Sequence, residues 1–279
     1  MIDEKLESEY VIGKLRPDLP ELMEGWAARS QSYRAEANAS YDIAYGDDPR
    51  EKLDLFYSGA ENAPLLVYIH GGYWQSGDKS KYSFIAKPFV ESGIDVAVVG
   101  YPLCPQVGLT SLVNSVRQSI AFLYNNASTL KVNRERINLF GNSAGGHLVA
   151  MMLATRWNEL DADLPNDLIK FGVPISALYQ LEPLRHTSLN QAIALDAEEA
   201  RINSPQFLPP VSDAPILSAV GGAETSAFFM QADAYIQQWQ NHSGSIEKHI
   251  EPDADHFDII DHLGDADSEI FKAIFQRLR

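Results

Sequence analysis

The sequence predicts an α/β fold built on a mostly parallel, doubly wound sheet with helices on both faces. Short β-rich apolar runs recur at residues 65–69, 94–99, 137–140, 171–175, 216–220 and 246–250. The segments between most of them, such as 79–91, 109–124 and 144–155, are long enough for helices. Strands that alternate with helices imply right-handed crossovers and a parallel sheet covered on both faces. Ahead of these units, residues 41–45 and 52–57 flank Gly46-Asp47-Asp48-Pro49, a strong turn signal, and read as a hairpin. Ligands of such sheets bind beyond the carboxyl ends of the strands, so catalytic residues are expected just after strands.

Residues 1–40 are polar, are punctuated by Pro17 and Pro20, and carry a helix-like stretch from about Trp26 to Ala37. They have aromatic anchors but no core of their own, which predicts an N-terminal arm or lid resting on one catalytic domain spanning 41–279. Residues 181–210 interrupt the alternation with a long polar, proline-containing insertion, and such insertions often build lids over active sites. Neither repeats nor low-complexity tracts occur.

At 279 residues with 45% hydrophobic content the chain can bury a substantial core. A formal charge of −16 with no basic stripe repels phosphate backbones and anionic lipid, so nucleic acid and membrane surfaces are not expected partners. A lone Cys104 forms no internal disulfide, no apolar run reaches membrane-spanning length, and Met1-Ile2-Asp3-Glu4-Lys5 lacks a signal-like apolar region. A soluble cytoplasmic protein acting on a small molecule is the resulting expectation. Homo-oligomerisation is left open.

Gly141-Asn142-Ser143-Ala144-Gly145 fits G-x-S-x-G between a predicted strand and a predicted helix, with a further Gly146. With Gly near ~7% of average usage, and Ser similarly common, chance would supply that pattern in roughly one chain of this length in ten, so its setting has to carry the reading. A sharp strand-to-helix turn crowds the backbone around the serine and requires small neighbours. It exposes the hydroxyl and frees the following amide. The unit resembles the nucleophile elbow of the α/β-hydrolase fold, with Ser143 as nucleophile and Ala144 as an oxyanion donor; the alternative is a glycine-rich turn holding a structural serine. His70-Gly71-Gly72-Tyr73-Trp74 follows the 65–69 strand, where this fold needs its second oxyanion donors. Gly71 and Gly72 fill that role, unless this is merely a tight turn with a buried aromatic pair.

In α/β-hydrolases the triad runs serine, acid, histidine along the chain. Of seven histidines, His70 precedes the serine and His147 lies one helical turn beyond it. His186 precedes any acid-bearing strand end, and His249 falls inside a strand. His242 and His262 read as surface residues, which leaves His256, in Asp255-His256-Phe257-Asp258 after the last strand. Glu224 is the first carboxylate after the 216–220 strand and is the expected acid, accepting the Nδ1 proton of His256. Asp253, Asp255 and Asp258 are the alternatives, but neighbours so close in sequence seldom reach the far ring nitrogen of a histidine.

Assembled, these residues resemble the kynurenine formamidase (arylformamidase) group of α/β-hydrolases from about Tyr41 onward. The sharpest points are His70 to Trp74, Gly141 to Leu148, and Asp255-His256-Phe257-Asp258-Ile259-Ile260. The Tyr73-Trp74 pair replaces the third glycine usual in lipase-like esterases. The resemblance implies hydrolysis of N-formylkynurenine to kynurenine and formate in tryptophan breakdown, without metal or cofactor. It places family roles on Ser143, Glu224 and His256, with Gly71, Gly72 and Ala144 as oxyanion donors. The group usually has aspartate where this chain has Glu224, and often histidine where it has Asn142, which leaves other small amides and esters open as substrates.

For an aryl amine leaving group, Tyr73, Trp74 and Phe228 are the expected apolar wall. Each also fits core packing, and Phe228 fits it better. A carboxylesterase of the same fold differs only in the leaving group. A non-catalytic ligand-binding relative would be expected to lack a triad member. A metal-dependent amidohydrolase would need ligand spacings that the sequence does not contain.

Overall fold

A computed structural model describes residues 2–240 and 245–279. Among them, an eight-stranded sheet forms the centre: β1 (Ala39–Ala44), β2 (Lys52–Phe56), β3 (Leu65–Ile69), β4 (Asp95–Val99), β5 (Ile137–Asn142), β6 (Ile169–Ile175), β7 (Ile216–Gly221) and β8 (Ile246–Glu251). Their spatial order is β1-β2-β4-β3-β5-β6-β7-β8. The β1–β2 hairpin runs antiparallel and joins β4 antiparallel, and every pairing from β4 to β8 is parallel. This is the α/β-hydrolase fold.

The period of two along each strand sorts the core into two layers. In β3, Leu65, Val67 and Ile69 face one side, with α4 (Leu109–Asn125) and α6 (Ala144–Leu153), while Leu66 and Tyr68 face the other. That second layer holds Trp26 and Tyr33 of α2 (Leu19–Glu36), Phe89 of α3 (Ala86–Glu91), and Ile270 to Leu278 of the C-terminal helix Glu269–Leu278. The short α5 (Ala127–Leu130) closes the connection between α4 and β5, and α1 (Glu4–Tyr10) begins the N-terminal arm. Among the described residues, no helix is long and apolar enough to cross a membrane.

Two expectations change in detail. The single helix expected over 79–91 is a 3-10 helix, Lys79–Ile85, that runs on into α3, with Pro88 tolerated in the first turn of α3. The 181–210 insertion folds into short helical turns whose Leu184, Ile193, Leu195 and Ala200 are buried in the layer beside α4 and α6. Those side chains face the core, so the segment is a platform and not a cover. The arm docks on it: Asp3 N–H donates to His186 O at 2.8 Å, and Glu7 accepts from Ser188 N–H at 2.8 Å and Ser188 Oγ at 2.6 Å.

Helix α2 is fastened to the sheet by a buried ionic cluster. Asp54 of β2, fully enclosed, pairs with Arg34 of α2 and accepts from Lys79 Nζ at 2.6 Å; Lys79 also reaches Asp42 at 2.8 Å. Removing one member of a buried cluster strands the others without compensation. Asp54→Ala is therefore expected to cost about 3 to 5 kcal/mol in urea unfolding. A loss of less than about 1 kcal/mol would show that the cluster does not hold the arm.

Candidate active site

Residue 143 is where the chain turns from β5 into α6. Ser143 has φ 57° and ψ −120°, a conformation costly for any L-residue, and its N–H donates to Ile175 O at 2.8 Å. The turn closes because its glycines lack side chains. A Cβ on Gly145 would fall on the carbonyl oxygen of Ile69 in β3, and one on Gly146 would meet Ile175 O at 2.7 Å. The N–H of Ala144, first residue of α6, belongs to the turn whose amides have no intrahelical acceptor.

The loop after β3 is held from behind. Tyr101 OH donates to His70 O at 2.6 Å, His70 Nδ1 donates to Gly71 O at 2.8 Å, and Gly72 O accepts from the amides of Gln75 and Ser76 at 3.0 and 3.1 Å. In a trans peptide the C=O and the following N–H point in opposite directions. With each carbonyl engaged by its own partner, the amides of Gly71, Gly72 and Tyr73 point away from those partners. A Cβ on Gly71 would lie 3.2 Å from Ser143 Cβ, so that loop sits against the elbow. Gly72 takes φ +115°, which only glycine adopts without strain.

His70 is buried and stacks between Tyr82 and Tyr101, with centroids 5.5 and 4.3 Å away. Burial lowers its pKa to about 4, so the ring is neutral with its proton on Nδ1. His147, also lowered to about 4 by burial, is the opposite tautomer: it accepts from Trp74 Nε1 at 3.2 Å and donates from Nε2 to Asn203 O at 2.7 Å.

The carboxylate and imidazole of Glu224 and His256 meet on adjoining loops after β7 and β8. Gly222 N–H donates to Glu251 O at 2.8 Å and Ala223 N–H to Ala254 O at 3.0 Å, while a Cβ on Gly221 would collide with Ala254 O. Glu224 is fully enclosed. One oxygen accepts from Gly221 N–H at 3.0 Å and from the Ser176 hydroxyl, and the other from His256 Nδ1–H at 2.7 Å. These donors supply what a buried carboxylate needs in place of water. The Phe228 ring lies 4.6 Å from the His256 ring and backs it.

Ser143 and His256 line one cavity of about 200 Å3, together with Gly72, Tyr73 and Asn142. The rest of its wall includes Leu19, Met23 and Trp26 of the arm together with Tyr82, Phe257 and Ile260. A larger open depression of about 580 Å3, beside Asp95 and Asn133, lies at the amino ends of β4 and β5, the wrong end of a parallel sheet for chemistry.

The structure thus brings Ser143, Gly72, Tyr73 and His256 to one cavity, with Glu224, Gly71, Ala144 and Phe228 directly behind it. Trp74 is elsewhere: fully buried beside His147, it contributes no cavity wall. The 181–210 insertion likewise supplies no lining residue; the arm does. His262, expected at the surface, is partly buried and shares the enclosed Glu251 carboxylate with His249, at 2.7 and 2.8 Å. His242 lies outside the described residues. Sequence reasoning passed over Ser176, and over Leu19, Met23 and Trp26; nothing in a single chain marks a serine 48 residues from its carboxylate partner. Among the described residues, no group of three or more His, Cys, Asp or Glu is arranged to hold a metal ion.

Two of the buried histidines, His70 and His147, set an acid limit on stability. Each is held near 4 in the folded chain against 6.5 for a free side chain. As pH falls from 6.5 towards 4 the unfolded chain takes up protons that the folded one refuses, so stability is lost in that window, by up to about 3 kcal/mol per histidine. Urea unfolding at pH 7 and pH 4.5 should show His147→Gln losing less stability than the parent on acidification. Equal losses would contradict the assignment.

A family model described as BD-FAE matches residues 53–174. Kynurenine formamidase of Salmo salar is 30% identical over 253 residues, covering 88% of this chain and 84% of that protein. An isoprenylcysteine alpha-carbonyl methylesterase of Arabidopsis thaliana is 34% identical over 134 residues, 47% of this chain and 31% of that protein. The crystal structure of a Silicibacter sp. TM1040 protein, provisionally named a thioesterase, superposes with a TM-score of 0.83 at 33% identity, covering 96% of this chain and 98% of that one. With the fold and likeness extending over nearly its whole length, the chain is a serine hydrolase belonging to the α/β-hydrolase family related to kynurenine formamidase.

Proposed function

We propose that the enzyme is an arylformamidase that cleaves N-formylkynurenine or a related N-formyl aryl amine through an acyl-enzyme formed on Ser143. The cavity carries this reading. At about 200 Å3 it is smaller than the roughly 300–1,000 Å3 of pockets for drug-sized ligands, and its wall of Leu19, Trp26, Tyr82 and Phe257 suits one aryl group. A formyl group needs almost no acyl pocket of its own. The likeness to kynurenine formamidase over 88% of the chain supports the same assignment.

In the mechanism that follows, Ser143 Oγ attacks the formyl carbon while His256 Nε2 takes its proton. Glu224 keeps the His256 proton on Nδ1 and stabilises the imidazolium. The carbonyl oxygen becomes an oxyanion facing the amides of Gly71, Gly72 and Ala144. Collapse breaks the C–N bond as His256 returns its proton to the leaving nitrogen. Water, deprotonated by His256, then attacks the formyl-enzyme and releases formate, with the proton returned to Ser143 Oγ. Tyr73 lines the aryl side, and Phe228 holds the imidazole in place. The chemistry uses no metal or cofactor, and on this reading the enzyme serves tryptophan breakdown in the cytoplasm.

One observation favours a second reading. His256 is the only ionisable group besides the tyrosines among the described lining residues, so the cavity offers no counter-charge to an amino-acid head group. That suits a neutral aryl or short-chain ester, as a carboxylesterase would take. Specificity constants for N-formylkynurenine and for p-nitrophenyl acetate, measured side by side, decide between them. The proposal expects the formamide to be preferred by tenfold or more, and a reversed order would assign the ester. Ser143→Ala should lower kcat on either substrate by about four to six orders of magnitude, and substantial residual turnover would remove the mechanism.

A further inference from the structure

We infer that Arg16, on the N-terminal arm, is a positioning residue for His256, fixing the loop that carries the imidazole and offsetting the carboxylates on either side of it. The inference rests on the assignment of His256 as the general base. Arg16 follows the 3-10 helix Ile12–Leu15 and lies 239 residues before Asp255. Its Nη1 is 2.6 Å from Asp255 Oδ2 and 2.8 Å from Asp258 Oδ1, and its Nε is 2.9 Å from Asp18 Oδ1.

The other oxygen of Asp255 accepts the amides of Phe257 and Asp258 at 2.7 and 2.9 Å. One carboxylate therefore links the guanidinium to the backbone on the far side of His256. The backbone that carries His256 cannot shift without breaking either the amide bonds or the ion pair, while the ring itself is tied to Glu224. Arg16 also lines, with Glu224, Asp255 and His256, a second cavity of about 230 Å3 behind the imidazole.

Charge gives the contact its consequence. Glu224 from the loop after β7 hydrogen-bonds His256, Arg16 and Asp255 line a cavity with it, and Arg16 draws Asp258 of the same loop and Asp18 of the arm into the cluster. The buried Tyr73 phenol, held neutral by burial, and the Ser143 hydroxyl complete the set. Arg16 is the cation in this set. Without it, the three carboxylates it pairs with would stand uncompensated near His256, which favours the imidazolium.

The test is the pH dependence of kcat and KM for p-nitrophenyl acetate hydrolysis by the full-length enzyme and its variants. Arg16→Gln should lower kcat at pH 7 about tenfold and leave KM within about twofold. It should also move the acid limb of kcat/KM upward by about half a pH unit or more. Arg16→Lys should return the limb to its original place without recovering full kcat, because an ammonium cannot reproduce the guanidinium fork. Arg16→Gln/Asp258→Asn keeps the local charge of the parent, so its limb should also return while kcat stays low. A parental limb and kcat in Arg16→Gln would overturn the inference, as would a fall in kcat with an unmoved limb. If Arg16→Gln fails to fold, the Arg16→Lys profile decides: parental kcat there overturns the inference, and reduced kcat on an unmoved limb sustains it. Absence of turnover in the parent on esters and formamides alike would instead remove the assignment of His256.

Discussion

The approach of α6 to β3 at Gly145 is the constraint on which the rest of the site depends. There is no room for a side chain between that helix and the carbonyl of Ile69, and the residue after Ile69 begins the His70 to Trp74 loop. The same contact therefore sets the height of the serine above the sheet and its distance from the candidate oxyanion donors. Gly141 and Gly146 repeat the arrangement against β3 and β6, so the elbow is wedged between two strands before any side chain enters the account. Strain at Ser143 is sustained because its neighbours leave no other path for the chain.

Around that backbone core, the buried polar groups that shape the site are paired, with His70 Nε2 the exception. Glu224 receives its donors from Ser176, Gly221 and His256, and the two fully buried histidines stay neutral in opposite tautomers. His70 and His147 flank the elbow on its two sides, one orienting the β3 loop and the other anchoring Trp74 to the insertion. The arm then closes the arrangement over the cavity, held by Glu7 at one end, Arg16 beside His256, and Arg34 on the sheet.

Much of this was legible in the residues because the controlling interactions are periodic or local. β3 was bounded to the residue and the other strands to within one or two, since each is a short apolar run ended by turn residues. Ser143 was legible through its glycines, and Glu224 and His256 through their places after β7 and β8. Tyr73-Trp74 shows the limit. Adjacent residues in a turn with positive φ point to different sides, one to the cavity and one into the core, and a sequence does not say which. The partners of the arm were equally hidden, because Arg16 and Asp255, or Ser176 and Glu224, are joined only by the folded chain. The insertion misled for a related reason: its apolar residues are sparse in sequence but converge on one face in space.

The account stands most directly on the reactivity of one hydroxyl. Treating the full-length enzyme with a fluorophosphonate and mapping the adduct by peptide mass spectrometry tests it without any assumption about the natural substrate. One adduct per chain, on Ser143, is the expected result. No adduct, or an adduct on another residue, would contradict it.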